Sequence, residues 1–165
     1  MCVFRGSAQE LSVETLLRVR QSGMNEADSL LTRNDWKVHL AVEETDGTAA
    51  KVTYLHSATD PSTPRAPVVT YYNASDRFAT VVKYSFTSSQ TFKNSLRTLH
   101  QLGFMKYVEQ DHEQMKIILF TRGLITVFIS AHYHPQDVGK KSGKRVTSYD
   151  LECWETLDMQ TRWMK

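Results

Sequence analysis

The chain has 165 residues, enough for one domain with a buried core and too few for two of comfortable size. Hydrophobic residues make up 41% and charged residues 23%, which excludes a charge-dominated disordered chain. A net charge of +2 excludes a whole-molecule field that would draw in nucleic acid or an anionic membrane. Two cysteines, Cys2 and Cys153, are too few for a disulfide-stapled secreted scaffold. The opening Met-Cys-Val-Phe-Arg lacks the apolar core of a signal peptide, and no run reaches the roughly 18 apolar residues of a membrane span, so cytoplasm or nucleus is expected.

In chain order, Val3 to Ser7 is a short candidate strand. It leads into a predicted helix over Ser12-Val13-Glu14-Thr15-Leu16-Leu17-Arg18-Val19-Arg20, with Ser12 as N-cap, Glu14 and the two arginines matched to the dipole, and Gly23 as a left-handed stop. From Trp36 the period becomes two, so Trp36, Val38, Leu40 and Val42 are predicted to share one side of a half-buried strand. Asp46-Gly47 marks a hairpin turn to a return strand over Lys51 to His56. The proline-rich stretch from residue 58 to 67 is an irregular loop. Strands are predicted next over Val68 to Tyr72 and Phe78 to Phe86, separated by Asn73-Ala74-Ser75-Asp76.

A second helix begins at Ser88 or Ser89, carries Phe92, Leu96 and Leu99 on one face, and ends in Leu102-Gly103-Phe104. Gly103 takes the left-handed position there, and Phe104 folds back on Leu99. Phe104 to Glu109, Gln114 to Thr121 and Leu124 to His132 read as a meander with turns at Asp111-His112 and Arg122-Gly123. A basic loop over 135–145 precedes a last strand, Val146 to Thr156. With no strand–helix alternation, the fold expected is mainly β (α+β): a single antiparallel β-barrel domain over 1–165, of about eight strands, with two packing helices and an interior filled by side chains. Closing the barrel would remove exposed strand edges.

Two blocks of residues resemble a known family, that of subunit eighteen of Mediator, the coactivator complex that contacts RNA polymerase II. The first is Phe4-Arg5-Gly6-Ser7, then Ser12-Val13-Glu14-Thr15-Leu16, then Trp36-Lys37-Val38. It is similar to the family's opening strand, Gly-Ser step and first helix. The second is Leu99, Leu102-Gly103-Phe104, Glu109, Phe120-Thr121-Arg122-Gly123-Leu124-Ile125-Thr126-Val127, and Ser148-Tyr149 with Glu152. It is similar to the family's helix, Gly-Phe step, paired strands and final Ser-Tyr-x-x-Glu strand. Together the blocks span about half the chain, and residues 46–88 carry no part of the likeness. The resemblance implies an antiparallel barrel, a nuclear location, transcriptional rather than catalytic work, and two protein partners: a subunit twenty-like barrel and a helix of a subunit eight-like chain. It implies no cofactor.

Related barrels hydrolyse triphosphates inside a tunnel, using alternating inward carboxylates to hold divalent metal and nearby cations for phosphate. The Glu-x-Glu-x-Lys strand that opens those enzymes is missing here. Asp150 and Glu152 on the last strand remain as a weak metal alternative, against the plainer reading of a solvated or base-paired sheet face. His132 and His134 share one side of a strand in a way that zinc tolerates, but lack third and fourth ligands at telling spacing. Cys153 is expected in the core. Lys140, Lys141, Lys144 and Arg145 form the most basic stretch, a solvated tip by the plainer reading and a nucleic-acid contact by the sharper one. Direct nucleic-acid binding and membrane association are not expected. Tyr71, Tyr72, Tyr84 and Phe86 are the candidates to line a partner groove, against simple barrel packing.

Overall fold

A computed structural model describes residues 10–60, 62–63, 65–75, 79–140 and 142–157. The strand expected over residues 3–7, Cys2, the Phe4-Arg5-Gly6-Ser7 block, Asp76, Phe78 and Lys141 lie outside these residues. The described elements are three helices, α1 (Val13–Gln21), α2 (Met24–Arg33) and α3 (Ser89–Gln101), and eight strands. The strands are β1 (Trp36–Val42), β2 (Lys51–His56), β3 (Val68–Tyr72), β4 (Val81–Phe86), β5 (Met105–Asp111), β6 (Met115–Arg122), β7 (Ile125–Tyr133) and β8 (Val146–Glu155). All eight strands join one antiparallel sheet in the order β1-β2-β3-β4-β8-β7-β6-β5.

The mainly antiparallel β class therefore holds, with two corrections. Among the described residues β1 and β5 are the two free edges of an open sheet, so the barrel is not closed. And three helices, not two, accompany it. The unexpected helix is α2. Gly23 does not stop α1 in the left-handed region; its φ is −68°, its carbonyl accepts from the amide of Ala27, and it is the N-cap of α2. The end of α1 is closed instead by Ser22, whose amide and hydroxyl both donate to the Arg18 carbonyl. At the far end of α2 the left-handed residue is Asp35 (φ 62°), so no glycine marks the stop.

All three helices lie on one face of the sheet. Leu16 and Val19 of α1, Ala27 and Leu31 of α2 and Leu99 of α3 are buried against Tyr54, Val69, Tyr71, Val82, Tyr84, Leu151, Cys153, Val127, Ile129 and Phe120. Burying each such leucine or valine contributes about 1.5–3 kcal/mol. Two tyrosines tie the helices down through polar tips: Tyr54 donates to Asp28 at 3.2 Å and Tyr71 to the Ser22 carbonyl at 3.0 Å.

The α3 ending is as read from the sequence. The Phe104 amide donates to the Leu99 carbonyl and the Gly103 amide to that of His100, both at 3.0 Å, with Gly103 at φ 79° and both Phe104 and Leu99 buried. β1, in contrast, does not keep one apolar side. The register shifts between Val38 and Leu40, so Val38 pairs with Tyr54 on the helix face while Leu40 pairs with Thr53 on the other. Trp36 is buried, and Val38 and Leu40 are exposed.

Open space surrounds the position a Cβ would take at Gly103, so the cost of a side chain there is conformational alone. Gly103→Ala is expected to destabilise the fold by about 1–2 kcal/mol, the left-handed penalty for a residue with a Cβ. Gly47→Ala, also in open space and without a positive φ, is expected to change stability by less than about 0.5 kcal/mol. Urea unfolding of the two variants checks the contrast.

Candidate functional sites

Because side chains alternate along a strand, β8 sends Tyr149, Leu151 and Cys153 into the helix-covered core and Asp150 and Glu152 to the opposite face. On that second face the strand pairing brings Lys83 of β4 opposite Glu152, Ser85 opposite Asp150, and Ser130 of β7 opposite Asp150 from the other side. A half-buried polar cluster results. Lys83 Nζ lies 2.8 Å from Asp150 Oδ2 and 3.4 Å from Glu152 Oε1, and Ser85 donates to Asp150 Oδ1 at 2.6 Å. The Trp154 indole donates to Glu152 Oε2 at 3.1 Å.

Burial works against charge on both Lys83 and Asp150, yet their mutual attraction outweighs it. Lys83, faced by Asp150 and Glu152, is held protonated above its ordinary value, and Asp150, faced by Lys83 and Ser85, is held below the usual carboxylate range. The acid pair is thus the base-paired sheet face of the plainer reading. Among the described residues no three His, Cys, Asp or Glu side chains stand together as a metal site.

His132 joins the cluster, with Nε2 at 2.9 Å from Asp150 Oδ2 and 3.1 Å from Ser130 Oγ. Ser, His and Asp are all present, but the hydroxyl and the carboxylate compete for one ring nitrogen. A relay needs them on opposite nitrogens, so the trio is not arranged to activate the serine. His134 is separately engaged: its Nδ1 accepts from the Gln136 amide at 3.2 Å and caps the short 3-10 helix Pro135–Asp137. The two imidazoles thus serve different partners, Asp150 and the Gln136 amide. Cys153 is fully buried, as expected, and burial pushes its thiol up to about 12.

The basic loop is exposed to solvent, as the plainer reading has it, and its cations are also paired within the chain. Arg145 and Lys140 both close on Asp137, whose carboxylate accepts from the Arg145 Nε at 2.9 Å and the Arg145 amide at 3.1 Å. Lys144 donates to Asp111 and to the His112 carbonyl, each at 3.0 Å, and sits over the Tyr133 ring. Three of the four cations proposed for nucleic acid are therefore paired within the chain. On β5 itself, on the helix-covered face, Lys106 and Lys116 close on Glu109 and hold its carboxyl down at about 2.

Of the four aromatic residues expected to line a groove, Tyr71, Tyr84 and Phe86 are buried in the core. Tyr84 stacks on Phe86, Phe86 on Tyr149, and Tyr149 on Phe92 of α3, with centroids 4.8, 5.5 and 4.6 Å apart. They are packing residues. Tyr72 alone lies on the second face, beside Lys83, Glu152 and Trp154 around a cavity of about 280 Å³.

The larger concavity was not legible from the sequence, because its walls come from segments a hundred residues apart. It is a groove of about 720 Å³ between α1, the end of α3 and the β6–β7 turn, floored by Leu17, Leu102, Phe104 and Ile125 and edged by Arg18 and Arg122. No described helix is long and apolar enough to cross a membrane. No family model, curated protein or solved structure matches the chain.

The Asp137 clamp has a calculable pH signature. Arg145 first, and then Lys140, hold its carboxyl well below the usual range, so the stabilisation is fully present above the unfolded carboxylate value of about 3.9 and is lost as pH falls through the folded one. Urea midpoints of wild type are expected to fall below about pH 4, and the fall is expected to be shallower in Asp137→Asn, which is less stable at neutral pH.

Removing the cation from the other cluster, by Lys83→Met, strands Asp150 and Glu152. The expected cost at pH 7 is about 1–2 kcal/mol, discounted because all three side chains keep some contact with water, and it should shrink in acid as the carboxylates take up protons. The same denaturation series reads it.

Proposed function

We propose that this chain is a non-catalytic, nuclear subunit of a Mediator-like transcription coactivator complex, holding partner subunits in place for RNA polymerase II transcription. A subunit twenty-like barrel and a helix of a subunit eight-like chain are the partners the sequence resemblance points to. The observation that supports a scaffolding role is the distribution of apolar surface. The core is well packed, yet Met105 and Tyr107 on one edge strand, Val38 and Leu40 on the other, and Leu124 and Leu157 beside the groove are exposed. Where such side chains gather, as Leu124 does with the groove's Leu17, Leu102 and Ile125, they support a surface that another chain covers. The resemblance supports the assembly; the exposed side chains support only that there is a partner.

The second reading, a tunnel-type triphosphatase, is kept alive by Asp150 and Glu152 sharing a face with Lys83. It requires metal-dependent phosphate release from a nucleoside triphosphate or tripolyphosphate, abolished by Glu152→Gln and untouched by substitutions in the basic loop.

Two measurements separate these readings. Tagged full-length chain, captured from nuclear extract of its own cells, is expected to bring down other coactivator subunits in fixed ratio, and the isolated chain is expected to gain stability when co-expressed with them. A well-behaved monomer without such companions removes the scaffold reading. Phosphate release with magnesium or manganese that Glu152→Gln abolishes would replace it with the enzyme.

A further inference from the structure

We propose that the groove between α3 and strands β5 and β6 binds an extended, acidic segment of a protein partner, whose apolar side chains enter the groove while its carboxylates meet Lys93 and Arg97 on one bank and Lys106 and Lys116 on the other. The inference rests on the reading of this chain as a protein-binding module and not on which assembly it joins.

The groove follows from one side of α3. At about 100° per residue, the order round the helix runs Leu99, Phe92, Leu96, His100, Lys93, Arg97. Leu99 is buried, Phe92 and Leu96 are partly buried, and the last three are exposed. Phe92, Leu96 and His100 line a cavity of about 240 Å³ over Ile118 and Tyr149 of the sheet, and Lys93 and Arg97 continue the same side of the helix as its outer shoulder. Lys106 and Lys116 line the opposite bank. Phe92 stacks on Tyr149 with centroids 4.6 Å apart, and His100 meets Phe120 edge-on at 5.2 Å, so the floor is held in shape by the chain itself.

The charges round this groove do not balance. No acidic residue occurs in α3, and among the described residues neither Lys93 nor Arg97 closes on a carboxylate. Lys106 and Lys116 share a single one, that of Glu109. Four cations therefore face one acid. At the ends of the groove Lys144 offsets Asp111, and Glu10 accepts from the Ser88 hydroxyl at the α3 N-cap. Even with Glu10 counted, positive charge is in excess on both banks of an apolar floor, which suits acidic residues set beside large apolar ones and repels basic ones.

Size decides the form of the occupant. The cavity is smaller than the roughly 300 Å³ at which pockets for drug-sized ligands begin, so it takes anchoring side chains and not a whole small molecule. From Phe92 to His100 the helix rises about 12 Å, which an extended chain spans in about four residues, with alternate side chains pointing to the floor. A helix, about 10 Å across with its side chains, is too wide to enter. The rings of the floor are already stacked within the chain, which leaves none of them open to a nucleic-acid base.

The test uses the full chain and labelled peptides in which leucine alternates with glutamate or with lysine, each with a central proline that forbids a helix, read by fluorescence anisotropy at low salt. The glutamate peptide is expected to bind roughly tenfold tighter, with the gap narrowing as salt rises. Lys93→Glu together with Arg97→Glu is expected to reverse the preference without moving the urea midpoint, since both side chains are exposed. Lys37→Glu, on the far edge strand, is expected to leave the preference as it is. Serine in place of the leucines is expected to abolish saturable binding.

Absence of saturable binding, equal affinity for the two charged peptides, undiminished binding of the serine peptide, or a preference that survives the double reversal overturns the proposal. A preference that Lys37→Glu removes as well does the same, because net charge alone would then be read. Tighter binding by a proline-free helical peptide of the same composition, or by a single-stranded oligonucleotide that competes for the site, overturns it in favour of that occupant. Discrimination between the peptides without coactivator subunits in the nuclear capture keeps the groove and removes the assembly, and the converse pair of results does the opposite.

Discussion

The register of β8 is the constraint on which everything else depends. This strand alone joins the four-strand run β1–β4 to the meander β5–β7, pairing Leu151 with Tyr84 on one side and Ile129 on the other. Its side chains alternate between a dry face and a wet one, so a slip of one residue would carry Asp150 and Glu152 into the apolar core and turn Leu151 and Cys153 out. Two half-buried carboxylates without their lysine would cost several kcal/mol, which makes the slipped pairing far less stable than the native one. The Lys83 cluster reads naturally as the polar half of this register lock. Lys83 and Ser85 on β4 and Ser130 on β7 meet the acids only when both neighbours of β8 are aligned.

An open sheet has two edges to protect, and both are treated in the same way. β1 shifts register between Val38 and Leu40, and β5 between Lys106 and Val108. A bulge twists an edge and spoils its hydrogen-bonding ladder, which discourages strand-to-strand addition by other copies. The edges therefore combine a backbone unsuited to casual pairing with exposed apolar side chains at Val38, Leu40, Met105 and Tyr107. That combination favours contacts made through side chains, with shape and chemistry to select the partner, over the indiscriminate ladder of an unprotected strand.

Elements whose signals are local were legible in the sequence. The Schellman ending at Leu102-Gly103-Phe104, the Ser12 and Ser88 caps, the Asp46-Gly47 turn and the long meander all follow from adjacent residues, and the antiparallel class follows from their order. Failures came where one residue served a different neighbour from the one its type suggests. Gly23 has the composition of a helix stop and the geometry of a helix start, which hid α2. Asp35 took the left-handed position that a glycine would have advertised. The bulge in β1 left no mark on an otherwise regular alternation, so Leu40 and Val42 were placed on the wrong face. For the sites the limit was distance in sequence. Nothing near Asp150 reveals Lys83, nothing near Asp137 says that Arg145 and Lys140 turn back onto it, and Tyr71, Tyr84 and Phe86 show their burial only once the helices are in place.

The same long-range pairing decides how the charged residues divide their work. Lys83, Lys106, Lys116, Lys140, Lys144 and Arg145 each close on a carboxylate of this chain, so their fields are largely offset at short range. A modest net charge of +2 thus hides a surface on which many cations are already engaged. Arg18 and Arg122 differ in kind: both are exposed beside apolar side chains of the groove, Arg18 one helical turn from Glu14 and Arg122 donating to the Leu102 carbonyl. A charge next to apolar surface gains most from a partner, because covering that surface removes the water that would otherwise screen it. The more numerous paired cations hold the sheet and its loops in register, whereas these two guanidinium groups keep their charge at the surface.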